Sequence, residues 1–363
     1  MTTVGISRRS WRRWRAAGAG ALVGAVGGIV LAPELVAADP AGPTDYETEV
    51  VAITPPTPGL DARAIGGDSF FEVTVDPAVI AVDVVVLGYR GEPYLRFRAD
   101  GTIEENRLAP TTYLNDDRYG QGEAPADADP EAAPEWRTVG HGRRWAWHDH
   151  RTHWMNSFHP LGSHPGDQIL DAVVPLLVGD RPVDIEVIST WRPAPSSLPA
   201  LLGAAAGVLL AGLAIVAGRT RARFASRAPA TVVALLGAAA LAVGLWQTWS
   251  VPSETGPPIT GWALPATALA VAAIAAAAPL SAFTRAGLVL VGAVQLVLWG
   301  WGRRSGLERA ILPTNAPFWL DRAVTAAVAG ALVLGLLALW QLGRMLAPGR
   351  TPPAQTAPQS SLM

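Results

Sequence analysis

The sequence predicts a membrane protein in two parts. An exported β-rich, sandwich-like domain precedes an α-helical bundle of five transmembrane helices, with an N-terminal hydrophobic anchor or signal segment ahead of both. Three observations predict this. Apolar residues collect in long blocks in the second half, acidic residues collect in the first half, and period-two strand patterns fill the acidic stretch. With 50% hydrophobic residues, 16% charged residues and a net charge of −2 over 363 positions, the chain lacks the composition of a disordered protein. It has no Cys, which excludes a disulfide framework, a Cys-ligated zinc site and a Cys nucleophile. All 28 basic side chains are Arg, a sign of GC-rich codon supply.

Residues 1–37 begin with Arg8, Arg9, Arg12, Arg13 and Arg15, continue with an apolar stretch over 16–33 and end in small residues at Val36-Ala37-Ala38. That pattern fits a secretory signal peptide as well as a retained anchor. Ser7-Arg8-Arg9-Ser10-Trp11 loosely matches the twin-arginine export pattern. Either reading places the next segment outside the cytoplasm.

Residues 38–196 hold 26 of the 30 acidic residues against 12 Arg, a formal charge of −14. Such a field repels nucleic acid and attracts cations. Alternation at Phe70-Phe71-Glu72-Val73-Thr74-Val75, a β-branched run over 84–89 and alternation over 94–98 predict strands. A turn at Ala99-Asp100-Gly101 leads into another strand over 102–105, and 182–190 alternates again. Residues 120–134 have no periodicity and read as an exposed acidic loop.

Residues 197–345 contain five apolar stretches, 198–218, 231–249, 259–280, 286–301 and 323–342, each about as long as a bilayer crossing requires. Residues 346–363 read as a disordered cytoplasmic tail. Arg219, Arg221, Arg223 and Arg227 place the loop after the first of these helices inside the cell, and Arg344 and Arg350 place the C-terminus there too. The loop over 302–322 runs against the rule, with Arg303, Arg304, Arg309 and Arg322 beside only Glu308 and Asp321. Asp321 and Arg322 read as interfacial anchors of the last helix, and Trp246, Trp249, Trp262, Trp299, Trp301, Trp319 and Trp340 as an aromatic belt. Ionisable groups at membrane depth are nearly absent, which disfavours transport.

All six His, at 141, 148, 150, 153, 159 and 164, share one 24-residue window. If the segment is a strand, His148 and His150 project from one face, and His153 lies close enough to add a third nitrogen. Three neutral imidazoles suit a transition-metal ion, and the Met155 thioether favours copper over zinc. His159 and His164 read as outer or transfer ligands, and Asp149 as a weaker candidate on the opposite face with Trp145 and Trp147. The bland alternatives are a Trp-lined core in which these His serve backbone groups, with Met155 as packing, and a pH-responsive surface.

The stretches GYRGEPYLRFRADG (88–101), TTYLNDDRYG (111–120) and WAWHDHRTHWM (145–155) resemble uncharacterised actinobacterial polytopic membrane proteins. Those proteins carry an exported domain with a WHDHRxHWM segment ahead of several membrane helices. The resemblance implies architecture and little chemistry, with a loose association to copper handling.

Other motifs carry less. Asn115-Asp116-Asp117 lacks EF-hand periodicity and reads as a surface turn. Gly162-Ser163-His164-Pro165-Gly166 misplaces its Ser for a nucleophile elbow, and no phosphate-binding loop is present. The expected function is therefore extracytoplasmic transition-metal binding through His148, His150, His153 and Met155, for metal handling rather than catalysis. Its partners are the lipid bilayer, a copper (less so zinc) ion and envelope proteins. The alternative is a non-enzymatic envelope scaffold with a structural Trp/His core; a metal-dependent hydrolase ranks third, since no general base stands out among the carboxylates.

Overall fold

A computed structural model describes residues 40–116, 118–120, 122–156, 158–220, 227–256 and 258–347. The signal or anchor segment and nearly all of the C-terminal tail lie outside the described residues. Ten strands come first: β1 (Tyr46–Thr54), β2 (Leu60–Ile65), β3 (Phe70–Val75), β4 (Val84–Leu87), β5 (Pro93–Phe97), β6 (Thr102–Asn106), β7 (Trp136–His141), β8 (Arg144–Trp147), β9 (Gln168–Val178) and β10 (Arg181–Trp191). A short helix α1 (Pro110–Leu114) lies between β6 and β7.

The strands form a seven-stranded sheet in the order β1-β10-β9-β4-β5-β6-β7 and a three-stranded sheet in the order β2-β3-β8. Every pairing is antiparallel. Phe71 and Val73 of β3, Trp147 of β8 and Val86, Leu95 and Ile185 of the larger sheet meet in one core. Strand β10 shows the cause in its pattern: Val183, Ile185 and Val187 are buried while Asp184 is exposed. Period two sends alternate side chains to opposite faces, so the apolar set turns inward together.

Five further stretches are long and apolar enough to cross a membrane. They are α2 (Leu198–Thr220), α3 (Ala228–Ser250), α4 (Thr260–Ala277), α5 (Ala282–Gly302) and a last span of two helices, α6 (Phe318–Ala327) and α7 (Ala329–Leu346), separated only by Val328. Glycines let backbones touch here. A Cβ on Gly203 would lie 2.0 Å from the Ala323 carbonyl oxygen, and one on Gly207 2.1 Å from that of Ala327. Only small residues permit that approach between membrane helices.

Three expectations need correction. Helix α5 begins at Ala282, ahead of the expected 286–301, where the Ser281 hydroxyl accepts from the Thr284 amide, so it takes in the buried Arg285. Trp299 is no belt residue: it is buried and donates from Nε1 to the Gly261 carbonyl at 2.8 Å. Trp249, Trp301 and Trp319 do stand exposed.

Asp321 and Arg322 also depart from the anchor reading, because both are buried. Asp321 receives Arg303, which also donates to Gln247. Arg322 donates to the carbonyls of Gly306, Arg309 and Ala310, holding the 303–317 segment in place. That segment in turn grips the β-rich part. Thr44 and Ile311 pair through two backbone hydrogen bonds, and Asp45 accepts from Arg309 at 2.6 Å and from the Ala310 amide at 2.9 Å. The Arg excess that broke the charge rule over 302–322 is thus spent on a carboxylate of the β-rich part, on Asp321 and on carbonyls.

Candidate functional site

Strand β8 ends at Trp147, so His148 and His150 are not strand neighbours on one face. The turn is set by Asp149. Its carboxylate accepts from the Arg151 amide at 3.0 Å and from Trp147 Nε1 at 3.0 Å, and its carbonyl accepts the Thr152 amide at 2.8 Å. An Asp bonding the amide two residues on makes an Asx turn, which ends a strand. Burial works to raise the Asp149 carboxyl, but the Arg151 guanidinium and these hydrogen bonds outweigh it and hold the group below the usual carboxylate range. Arg151 also reaches the Leu87 carbonyl at 3.0 Å, tying the loop to the end of β4.

The turn folds three imidazoles back over the sheets. His148 is buried, stacks on Phe70 with ring centres 4.0 Å apart, and donates from Nδ1 to the Ser69 carbonyl at 2.7 Å. His153 is buried and donates from Nε2 to the Arg118 carbonyl at 2.6 Å. His150 stacks on Tyr89 at 5.7 Å, and its amide donates to the Tyr89 hydroxyl at 2.8 Å. The ring centres of His150 and His153 are 5.4 Å apart, and those of His148 and His153 are 6.3 Å apart.

A carbonyl can only accept, so in neutral His153 the proton sits on Nε2 and Nδ1 keeps a bare lone pair. That Nδ1 is buried without a hydrogen-bond partner. Burial and, after it, the Arg118 charge push the His153 pKa down to about 3, so the ring is neutral. Arg118 is itself fixed by Asp68 at 2.7 Å. Burial raises the Asp68 carboxyl in spite of that guanidinium.

Gly120 holds the other side of the loop with φ +64°, a left-handed conformation. A Cβ there would lie 2.8 Å from His150 Cε1 and 3.5 Å from the Met155 methyl, so Met155 and His150 approach the same backbone. Met155 is partly exposed. The chemistry-bearing residues are thus gathered on one side, but not closed. Among the described residues, no group of three His, Cys, Asp or Glu side chains stands ready to hold a metal ion.

The remaining His do not join this group. His159 stacks on Trp191 at 4.2 Å, its Nδ1 lies 3.0 Å from the Tyr46 hydroxyl, and it faces Asp45 toward the 303–317 segment. Burial and then the Asp45 charge push the Tyr46 pKa up to about 12, so the phenol keeps its proton. His164 is exposed beside Asp167, and His141 is exposed at the end of β7. Asn115 and Asp116 do form a turn with Asp116 exposed, but Asn115 is buried and accepts from the Tyr89 hydroxyl, while Asp117 lies outside the described residues. Sequence reasoning missed Tyr89, Arg118 and Gly120 as supports of the His loop. The signal available was their presence in the stretches 88–101 and 111–120.

No protein-family model matches the chain, and no curated protein or solved structure does either.

Proposed function

We propose that this protein is a membrane-anchored, extracytoplasmic transition-metal binding protein, with copper preferred, that handles metal rather than performing catalysis. In this reading the two sheets form a sandwich-like domain outside the cell, and the C-terminus is cytoplasmic. The observation that carries the proposal is His153: one ring nitrogen donates to a backbone carbonyl, and the other is buried, bare and without a partner. A metal-ligating His usually donates its second ring nitrogen to a carbonyl or carboxylate, which fixes the tautomer. His148, donating from Nδ1 to Ser69, is held in the same manner.

Three imidazoles on one tetrahedral ion have ring centres about 5 Å apart. The His150–His153 pair is near that spacing at 5.4 Å, and the His148–His153 pair at 6.3 Å needs to close by roughly 1 Å. Met155 would supply a soft thioether, which favours Cu(I). The test is metal loading of the full-length, untagged protein in detergent with Cu(I), Cu(II) and Zn(II) in turn. Near-stoichiometric copper, lost in the His148→Ala/His150→Ala double variant, is the expected result. Unchanged stoichiometry in that variant would sink the site, and no tight binding of any of the three would sink the function.

A second reading is favoured by the ring stacking. His148 on Phe70 and His150 on Tyr89 bind the loop to β3 and to the turn after β4, as a scaffold core would. In that case the double variant unfolds the β-rich part, and metal leaves its stability unchanged.

A further inference from the structure

The two ends of the helical part differ in charge. Between residues 197 and 363 the chain has only three acidic residues, Glu254, Glu308 and Asp321, in the segments next to the β-rich part. The far end carries Arg219, Arg227, Arg285 and Arg344 among the described residues. A cavity of about 410 Å³ opens there between α2, α5 and α7. Ile215, Val289, Leu334 and Leu337 give it apolar walls, and Arg219 and Arg285 line it as well.

Arg285 is fixed in position. It is 8% exposed and donates from Nε to the Ala275 carbonyl at 2.9 Å and from Nη2 to the Ala278 carbonyl at 3.1 Å. Those carbonyls belong to the C-terminal end of α4, where a cation is favoured by the helix dipole. Arg219 is exposed in the last turn of α2.

We propose that this cavity binds one anionic phospholipid, with its phosphate between Arg219 and Arg285 and an acyl chain along Ile215, Leu334 and Leu337. Both guanidiniums bring a permanent positive charge to the headgroup position, and the exposed Arg219 can meet phosphate oxygens in pairs. The apolar walls select a lipid over a hydrated free anion, because a small ion makes no contact with them. Charge selects among lipids: a zwitterionic headgroup would bring its own cation to an end of the bundle already positive. Basic pockets between membrane helices are a recognised form of lipid site.

The test uses delipidated full-length protein in a non-ionic detergent, offered dioleoyl phosphatidylglycerol or dioleoyl phosphatidylcholine and read by native mass spectrometry. One phosphatidylglycerol per chain is expected, retained about 30-fold better than phosphatidylcholine from two guanidiniums near the headgroup. Arg219→Gln should reduce that preference to about fivefold, and this exposed position gives a variant that keeps its fold. Leu337→Trp, which fills the cavity, should remove the retained lipid while the thermal transition stays in place. Equal retention of the two lipids, or a preference unchanged in both variants, would overturn the proposal. Glycerol phosphate binding as tightly as the whole lipid would overturn the acyl-chain contact.

Discussion

The His148–His153 loop and the junction over 303–322 both bury polar side chains, yet they treat them differently. At the junction each of these charges meets a counter-charge or carbonyls: Arg303 meets Asp321 and Gln247, Arg309 meets Asp45, and Arg322 meets three carbonyls. In the loop, His153 keeps a buried nitrogen that nothing fills. The junction too keeps one buried nitrogen without a partner, Arg303 Nε, but that is a donor on a guanidinium already held through its other nitrogens, whereas His153 Nδ1 is a bare lone pair. The contrast fits an architectural role for the junction and, under the proposed function, a ligand's role for the bare nitrogen of the loop.

The largest expected effect breaks the junction. Asp321→Asn leaves Arg303 buried without its carboxylate, which should cost about 3–5 kcal/mol. Thermal unfolding in detergent, with and without metal, checks this. An equal loss under both conditions is expected from a structural role, and a metal-dependent loss would erase the distinction between the two regions.

Acidification probes the loop instead. The folded-state pKa of His153 lies below its unfolded value, so the unfolded chain binds more protons and stability falls as pH drops from about 6.5 toward 3. The slope is about 1.4 kcal/mol per pH unit, which gives at most about 2 kcal/mol between pH 6.5 and pH 5. His153→Gln keeps an amide donor for the Arg118 carbonyl and removes the titration. Melts of both proteins in chelator-containing buffer should show a flatter pH profile for the variant, and identical profiles would remove His153 as the source.

Met155→Leu should produce the smallest change in stability, within about 0.5 kcal/mol, because the side chain is partly exposed. Its effect should appear in metal choice. Cu(I) affinity falls while Zn(II) affinity holds, and a parallel fall in both would place Met155 in packing alone.

Much of this contrast was hidden in the sequence for identifiable reasons. The helices were legible because apolar runs of that length have few other uses, and β3 and β10 because alternation is a direct consequence of the pleat. Strand β9 was not, since Pro175 interrupts its reading. The structure admits it because pairing with β4 begins only at Leu176. The strand-like spacing of His148 and His150 misled, for Asp149 between them turns the chain. An Asp in an alternating run is the local signal for that turn, and it competes with the periodicity. The junction was out of reach because Asp45 and Arg309 lie 264 positions apart, and no local pattern links them.

The pairing of Thr44 with Ile311 has a mechanical consequence. A body joined to its base by one strand of chain, here the Pro-rich 192–197 stretch, is free to swivel. A second fastening at a different point removes that rotation and fixes height and bearing together. The β sheets are therefore mounted on the helices like a bracket with two bolts, and the His loop keeps a set distance and angle from the ends of the helices.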